Sequence, residues 1–178
     1  NTRSFMGGRK VSKPSDTKKM NRLYSVEADM TLTGGVADHR LRLESSQFTA
    51  FSCLLAAEVL TLTKSSDKSL IEKLKGLGSV ANTYLDWVKA CAEDLCNKPD
   101  LSVVLPGNHL PQEVHVTSFL INQALGSIGK TIRYLPTKTS NSSIGELAKA
   151  IEAGDIDHLL IVGGNPVFLS KSFIDWDS

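Results

Sequence analysis

The chain lacks most of the features that would advertise a function. It has only three cysteines in 178 residues, Cys53, Cys91 and Cys96. They form no C-x-x-C pair, and no histidine stands at zinc-finger spacing from them, so a zinc site is not encoded. For the same reason an iron–sulfur cluster held by this segment is not expected. Cys53 and Cys91 instead fall within apolar helical patterns, where a free thiol packs as a small hydrophobe. An excess of one charge is also missing. Twenty Lys and Arg against nineteen Asp and Glu leave a net charge of +1, which argues against nucleic acid or an anionic membrane as the main partner. No apolar run approaches the length of a membrane span. The start carries neither an initiator Met nor a signal-peptide pattern. The opening Asn1 to Arg9 and the closing Phe173 to Ser178 both read as interior sequence, which suggests a segment excised from a longer protein.

Catalytic signatures are equally scarce. The four histidines, His39, His109, His115 and His158, form no H-x-x-x-H pair and no set with a serine and an aspartate. Only His109, on a loop that follows a strand candidate, is kept as a site candidate. Gly126-Ser-Ile-Gly-Lys-Thr131 looks like the tail of a P-loop but fails twice. Ala124 stands where the spacing needs glycine, and the loop runs from helix into strand, so no helix N-terminus meets a phosphate. No nucleophile, paired carboxylates or protein-made metal site can be argued from spacing.

What is present is an alternation of strands and helices. Residues 1–20 are a basic, polar connector, with Arg3, Arg9, Lys10, Lys13, Lys18 and Lys19 against Asp16. A nucleic-acid arm is disfavoured because only Phe5 offers a stacking ring. From 21 to 178 the chain reads as one α/β domain. Arg22–Glu27 and Ala37–Leu43 are strand candidates around a turn-rich 28–35. Ser45 or Ser46 can cap a helix whose stripe is Phe48, Phe51, Leu55, Val59 and Leu62. Ser69 and Glu72 fit a capping box, and that helix ends near Gly76. Val80, Tyr84, Val88, Cys91 and Leu95 mark the clearest helix, which stops before Pro99. Leu101–Leu105 is a strand closed by Pro106 to Leu110. Pro111 opens a helix with Val116, Phe119, Leu120, Ala124 and Leu125 inward, and Gly126 ends it. Thr131–Leu135 is the next strand. Ser143 and Glu146 form a second capping box, on a helix with Ile144, Leu147, Ala148 and Ile151 as its stripe and Gly154 as its stop.

The last strand, Leu159–Val162, runs into Gly163-Gly-Asn-Pro166, where the two glycines allow a sharp turn and close approach of a ligand. Strands alternating with helices of this length predict βαβ units: a three-layer open parallel sheet, Rossmann-like or flavodoxin-like, flanked by helices. In such a sheet the loops at Pro106–Leu110, Pro136–Asn141 and Gly163–Pro166 line one edge. Ligands sit at that edge. The loops offer hydrogen bonds suited to a nucleotide-like or pterin-like molecule, and would equally suit a docking surface.

Three strings together resemble the molybdopterin oxidoreductase family. They are Met20-Asn-Arg-Leu-Tyr-Ser-Val-Glu27 with Thr31-Leu-Thr-Gly-Gly-Val-Ala-Asp-His-Arg-Leu41, then Asn122-Gln-Ala-Leu-Gly-Ser-Ile-Gly-Lys-Thr131, then Leu159-Leu-Ile-Val-Gly-Gly-Asn-Pro-Val-Phe168. Each is weak alone, and their order and spacing across residues 20–170 carry the resemblance. Within that family they resemble above all the molybdopterin-oxidoreductase-like, iron–sulfur subunits of bacterial alternative complex III, a quinol-oxidising respiratory complex. The resemblance implies a periplasmic location or the periplasmic face of the inner membrane. It implies neighbouring subunits of a membrane-bound complex as partners, with no nucleic acid and no direct membrane insertion. It places iron–sulfur clusters in the parent, outside this segment.

Where cofactor-binding relatives carry Asp-Pro-Arg, this chain has Glu27-Ala28-Asp29, so a charge-assisted contact to an anionic cofactor is gone. The resemblance therefore implies a cofactor-free scaffold within an electron-transfer subunit, with Glu27 turned to protein partners. The alternative is part of an active molybdopterin-dependent oxidoreductase. In that case Glu27, Thr31, Asn108, Gly163, Gly164 and Asn165 line a site for the guanosine-diphosphate ends of molybdopterin guanine dinucleotide. Neither reading assigns a catalytic residue or a metal ligand here.

Overall fold

The computed structural model of the chain describes residues 2–136 and 143–169. It divides into two compact units, Asn1–Tyr134 and Leu135–Ser178.

The first unit opens with a short helix α1 (Thr2–Gly7) and a 3₁₀ turn (Pro14–Lys19). Strand β1 (Tyr24–Glu27), a one-turn helix α2 (Leu32–Gly35) and strand β2 (His39–Arg42) follow. β1 and β2 pair in parallel, with Tyr24 opposite His39 and Glu27 opposite Arg42. They are the only two strands among the described residues. The rest of the unit is helical: α3 (Phe48–Leu62), α4 (Lys68–Gly78), a 3₁₀ stretch (Ser79–Tyr84), α5 (Leu85–Asn97) and α6 (Gln112–Ala124).

The core is built around α3, against which α4, α5 and α6 all pack. The predicted stripe is buried at Phe48, Phe51, Leu55 and Val59, while Leu62 is exposed. Cys53, Leu54, Ala56, Ala57 and Leu60, on the other faces, are buried as well. A helix that is apolar all round belongs at the centre of a protein or in a membrane. The expectation that no apolar run approaches a membrane span fails at Ser45–Leu62, which has that length and composition, but α4, α5 and α6 pack against this helix. Ala56 and Ala57, both fully buried, let those neighbours come close.

The parallel-sheet expectation is overturned. Leu101–Leu105, Thr131–Leu135 and Leu159–Val162 are not strands. A strand is completed by a neighbour that takes up its backbone groups, and periodicity reports nothing about that neighbour. In the first of these segments side chains do the work. Asn122, fully buried on α6, accepts from the Val104 N–H through Oδ1 and donates from Nδ2 to the Val104 carbonyl, both at 2.8 Å. A carboxamide carries the same donor and acceptor as a peptide group, so one side chain replaces one rung of a ladder. Ser127 Oγ donates to the Ser102 carbonyl at 2.6 Å, and Thr131 Oγ1 does so at 3.1 Å. Around 131–135 only an isolated bridge between Ile128 and Ile132 forms.

Other local readings shift too. Val80 is exposed and Ala81 is buried in its place, because the 3₁₀ stretch before α5 advances three residues per turn and moves the register. On α6 the inward face is Val114, Thr117, Ser118, Ile121 and Asn122, while Val116 and Phe119 are exposed. α4 is capped by Asp67, whose carboxylate accepts from the Leu70 N–H at 2.9 Å, rather than by a box at Ser69 and Glu72. No side chain of Ser45 or Ser46 caps α3.

The second unit holds α7 (Ile144–Glu152) and the short α8 (Pro166–Leu169). The Ser143 capping box forms as read. Ser143 Oγ accepts from the Glu146 N–H at 3.2 Å, and Glu146 Oε2 accepts from the Ser143 N–H at 2.7 Å. Residues 137–142, most of the predicted Pro136–Asn141 loop, lie outside the described residues.

Candidate functional site

With two strands in the sheet, the candidate site contracts to the carboxyl ends of β1 and β2. A crevice of about 410 Å³ opens there, lined by Ala28, Asp29, Arg42, Leu43, Glu44 and Tyr84. Glu27, the last residue of β1, borders this region, and its surroundings determine what it can do.

The Glu27 carboxylate is engaged on both oxygens. Oε2 accepts from Thr31 Oγ1 at 2.6 Å and from Ser25 Oγ at 3.4 Å. Oε1 accepts from Arg40 Nε at 2.5 Å and from the Thr31 N–H at 3.3 Å. Arg40 lies on β2, paired with Ser25, so the parallel register brings this cation beside the carboxylate. The Thr31 hydroxyl and the Arg40 guanidinium hold the Glu27 carboxyl down at about 2. Thr31 Oγ1 also accepts from the Gly34 N–H at 3.2 Å and so caps α2. A Cβ at Gly34 would lie 1.7 Å from Glu27 Oε1, so glycine is the residue that lets α2 close over the carboxylate.

Of the six candidate residues, the structure joins Glu27 and Thr31 directly. Asn108 is exposed in the turn at 107–110, with no side-chain hydrogen bond to either of them. His109 is also exposed there, its ring against Gly107. Gly163, Gly164 and Asn165 belong to the second unit. Gly163 has a φ of +77°, and Asn165 Oδ1 accepts from the Phe168 N–H at 3.2 Å, so Asn165 serves as the cap of α8. The expectation that the strand-end loops share one sheet edge fails with the strands themselves.

A second constellation went unread in the sequence. Asp94 on α5 accepts from Arg22 Nη1 at 2.5 Å on each oxygen and from Tyr24 Oη at 2.6 Å. Burial pushes the Asp94 carboxyl up, but Tyr24 and Arg22 outweigh it and the net shift is downward. The Tyr24 ring stacks on His39 at 4.5 Å and meets Trp87 edge-on at 5.3 Å. Residues 22 and 94 lie too far apart in the chain for a local pattern to link them.

These groups are poorly placed for acid–base or nucleophilic work. Both carboxylates are held in ionised form by cations and hydroxyl donors. Cys53, Cys91 and Cys96 are free, and burial raises each thiol, Cys91 up to about 12. No group of three or more metal-ligating side chains occurs among the described residues. No family model, curated protein or solved structure matches the chain.

Proposed function

We propose that this chain is a section of a molybdopterin-oxidoreductase-like subunit of a respiratory electron-transfer complex, and that it serves there as a cofactor-free scaffold. The three sequence strings support the family. The observation that carries the scaffold reading is the closed network around Glu27, whose oxygens are taken up by Thr31, Ser25 and Arg40. A carboxylate committed in this way has little capacity left for a ribose or guanine. Electron transfer in this reading belongs to iron–sulfur clusters elsewhere in the parent, on the periplasmic side of a membrane-bound complex.

One observation favours the alternative, a site for the guanosine-diphosphate ends of molybdopterin guanine dinucleotide. The crevice after β1 and β2 lies where parallel strands place ligands, and its 410 Å³ falls within the usual range for small-molecule pockets. Arg42 and Tyr84 there offer a cation and a hydroxyl.

The assembly part of the proposal is tested by solubilising membranes of the host and following the protein through native electrophoresis. Co-migration with quinol-oxidising activity and iron is the expected result. Migration as a species free of other subunits would overturn it.

A further inference from the structure

The balanced net charge hides a segregation. Residues 1–20 hold six basic residues and one acidic, a net of +5, while the remaining 158 hold fourteen basic and eighteen acidic, a net of −4. The basic segment is also built onto the fold. Arg9 donates to both oxygens of Asp38, at 2.6 and 2.8 Å, and to the Asn21 carbonyl at 2.8 Å. Asn21 Nδ2 donates to the Phe5 carbonyl at 3.2 Å, and the Asn21 N–H donates to the Gly8 carbonyl at 3.3 Å. Asp16 organises the next turn by accepting from the Ser12 and Lys13 N–H groups, each at 3.1 Å. One arginine therefore fixes the arm. The other five cations, Arg3, Lys10, Lys13, Lys18 and Lys19, are exposed and form no ion pair with the described residues. Met6 and Val11 lie exposed among them.

We infer that this arm, residues 3–19, is a peripheral contact for an anionic lipid surface. Clustered Lys and Arg are drawn to acidic headgroups, and exposed apolar side chains between them sit at the headgroup–acyl boundary. That pairing distinguishes the surface from a single-stranded nucleic-acid site, which adds stacking rings to its cations. The only ring in the arm is Phe5, and Arg9 lies over it at 5.8 Å. Contact is electrostatic and shallow, with no span inserted. The inference goes beyond the scaffold proposal and does not depend on it.

The test is co-sedimentation of the full chain with phosphatidylcholine vesicles, with and without phosphatidylglycerol, across a salt series. Binding to the acidic vesicles alone, weakening with salt, is expected. The combined variant Lys10→Gln, Lys13→Gln, Lys18→Gln and Lys19→Gln leaves Arg9 and the fold in place. It should lose affinity by roughly two to three orders of magnitude, at about fivefold per cation. Lys→Arg at the same four positions should retain binding. Circular dichroism checks that each variant is folded. No binding, equal binding to neutral vesicles, or an unaffected glutamine variant overturns the inference. So does tighter binding to polyglutamate or polyuridylate than to acidic vesicles, which would assign the arm to an acidic protein or to RNA.

Discussion

Replacing Asn122 with alanine removes the side chain that stands in for a strand neighbour. The Val104 N–H and carbonyl each lose a partner held at 2.8 Å. A net hydrogen bond is worth about 1 kcal/mol, whereas a buried group left without its partner costs about 1–3 kcal/mol. Val104 is half-buried, so water can reach part of what is exposed and the lower end of that range applies. The two groups together give an expected loss of about 2–4 kcal/mol, a large share of the 5–15 kcal/mol typical of a domain. Urea unfolding followed by tryptophan fluorescence measures the loss, and hydrogen exchange at the Val104 amide locates it. Asn122→Asp is the informative companion. It keeps the acceptor but turns a second oxygen towards the Val104 carbonyl, so it should be no milder than alanine. A loss under about 0.5 kcal/mol, the floor for one net hydrogen bond, with Val104 protection unchanged, would refute the reasoning.

Other perturbations have definite signs. Glu27 has its carboxyl lowered from 4.5 to about 2 and Asp38 from 3.8 to about 2, so the unfolded chain binds protons more readily. Their contribution to stability is therefore complete above the unfolded values and lost as pH falls from about 4.5 through about 2. Arg40→Gln should raise the Glu27 carboxyl and shrink that acid-sensitive window, read from urea midpoints against pH. Lys64 sits at a φ of 57° after α3, with the Ser65 N–H bonded to the Leu60 carbonyl and the Lys64 N–H to the Thr61 carbonyl. This is a helix ending that favours glycine, so Lys64→Gly should stabilise the fold by about 0.5–1 kcal/mol in the same assay. Cys91 should resist a thiol reagent at mildly alkaline pH until the chain unfolds, whereas the half-buried Cys96 should react first. Faster labelling of Cys91 than of Cys96 would contradict the placement of α5.

The helices were largely legible, because their signals are local. The stripe of α5 from Val88 on, the stop at Gly126 and the Ser143 box all lie within a few residues of what they control. Gly126, at a φ of +66°, takes the left-handed conformation that ends a helix cheaply. The two strands that pair were legible at Arg22–Glu27 and Ala37–Leu43, observed as Tyr24–Glu27 and His39–Arg42, whereas the three later strand candidates failed, because a strand is defined by its neighbour. Leu101–Leu105 has the composition of a strand, yet side chains bind it in place of a neighbouring strand: Asn122 on α6, eighteen residues from Val104, and Ser127 and Thr131 at the Ser102 carbonyl. The α6 face was misread for the same reason. Asn122, Thr117 and Ser118 look like solvent residues, and each is buried. Thr117 satisfies its hydroxyl on the Glu113 and Val114 carbonyls of its own helix, at 3.0 Å each. At the candidate site, Glu27 and Thr31 were named from the family resemblance, and the structure joins them to each other. Arg40 was missed as their partner because it reaches them only through the β1–β2 register. The pairs Arg9–Asp38 and Arg22–Asp94 join residues with no shared local pattern.

The most direct test of the central claim is chemical. The protein is purified as its host makes it, and molybdenum, tungsten and oxidised-pterin fluorescence are measured against the amount of chain, with iron alongside. The account predicts iron without molybdenum, tungsten or pterin. A stoichiometric metal with matching pterin would contradict it and would make the crevice beyond Glu27 one wall of a cofactor site.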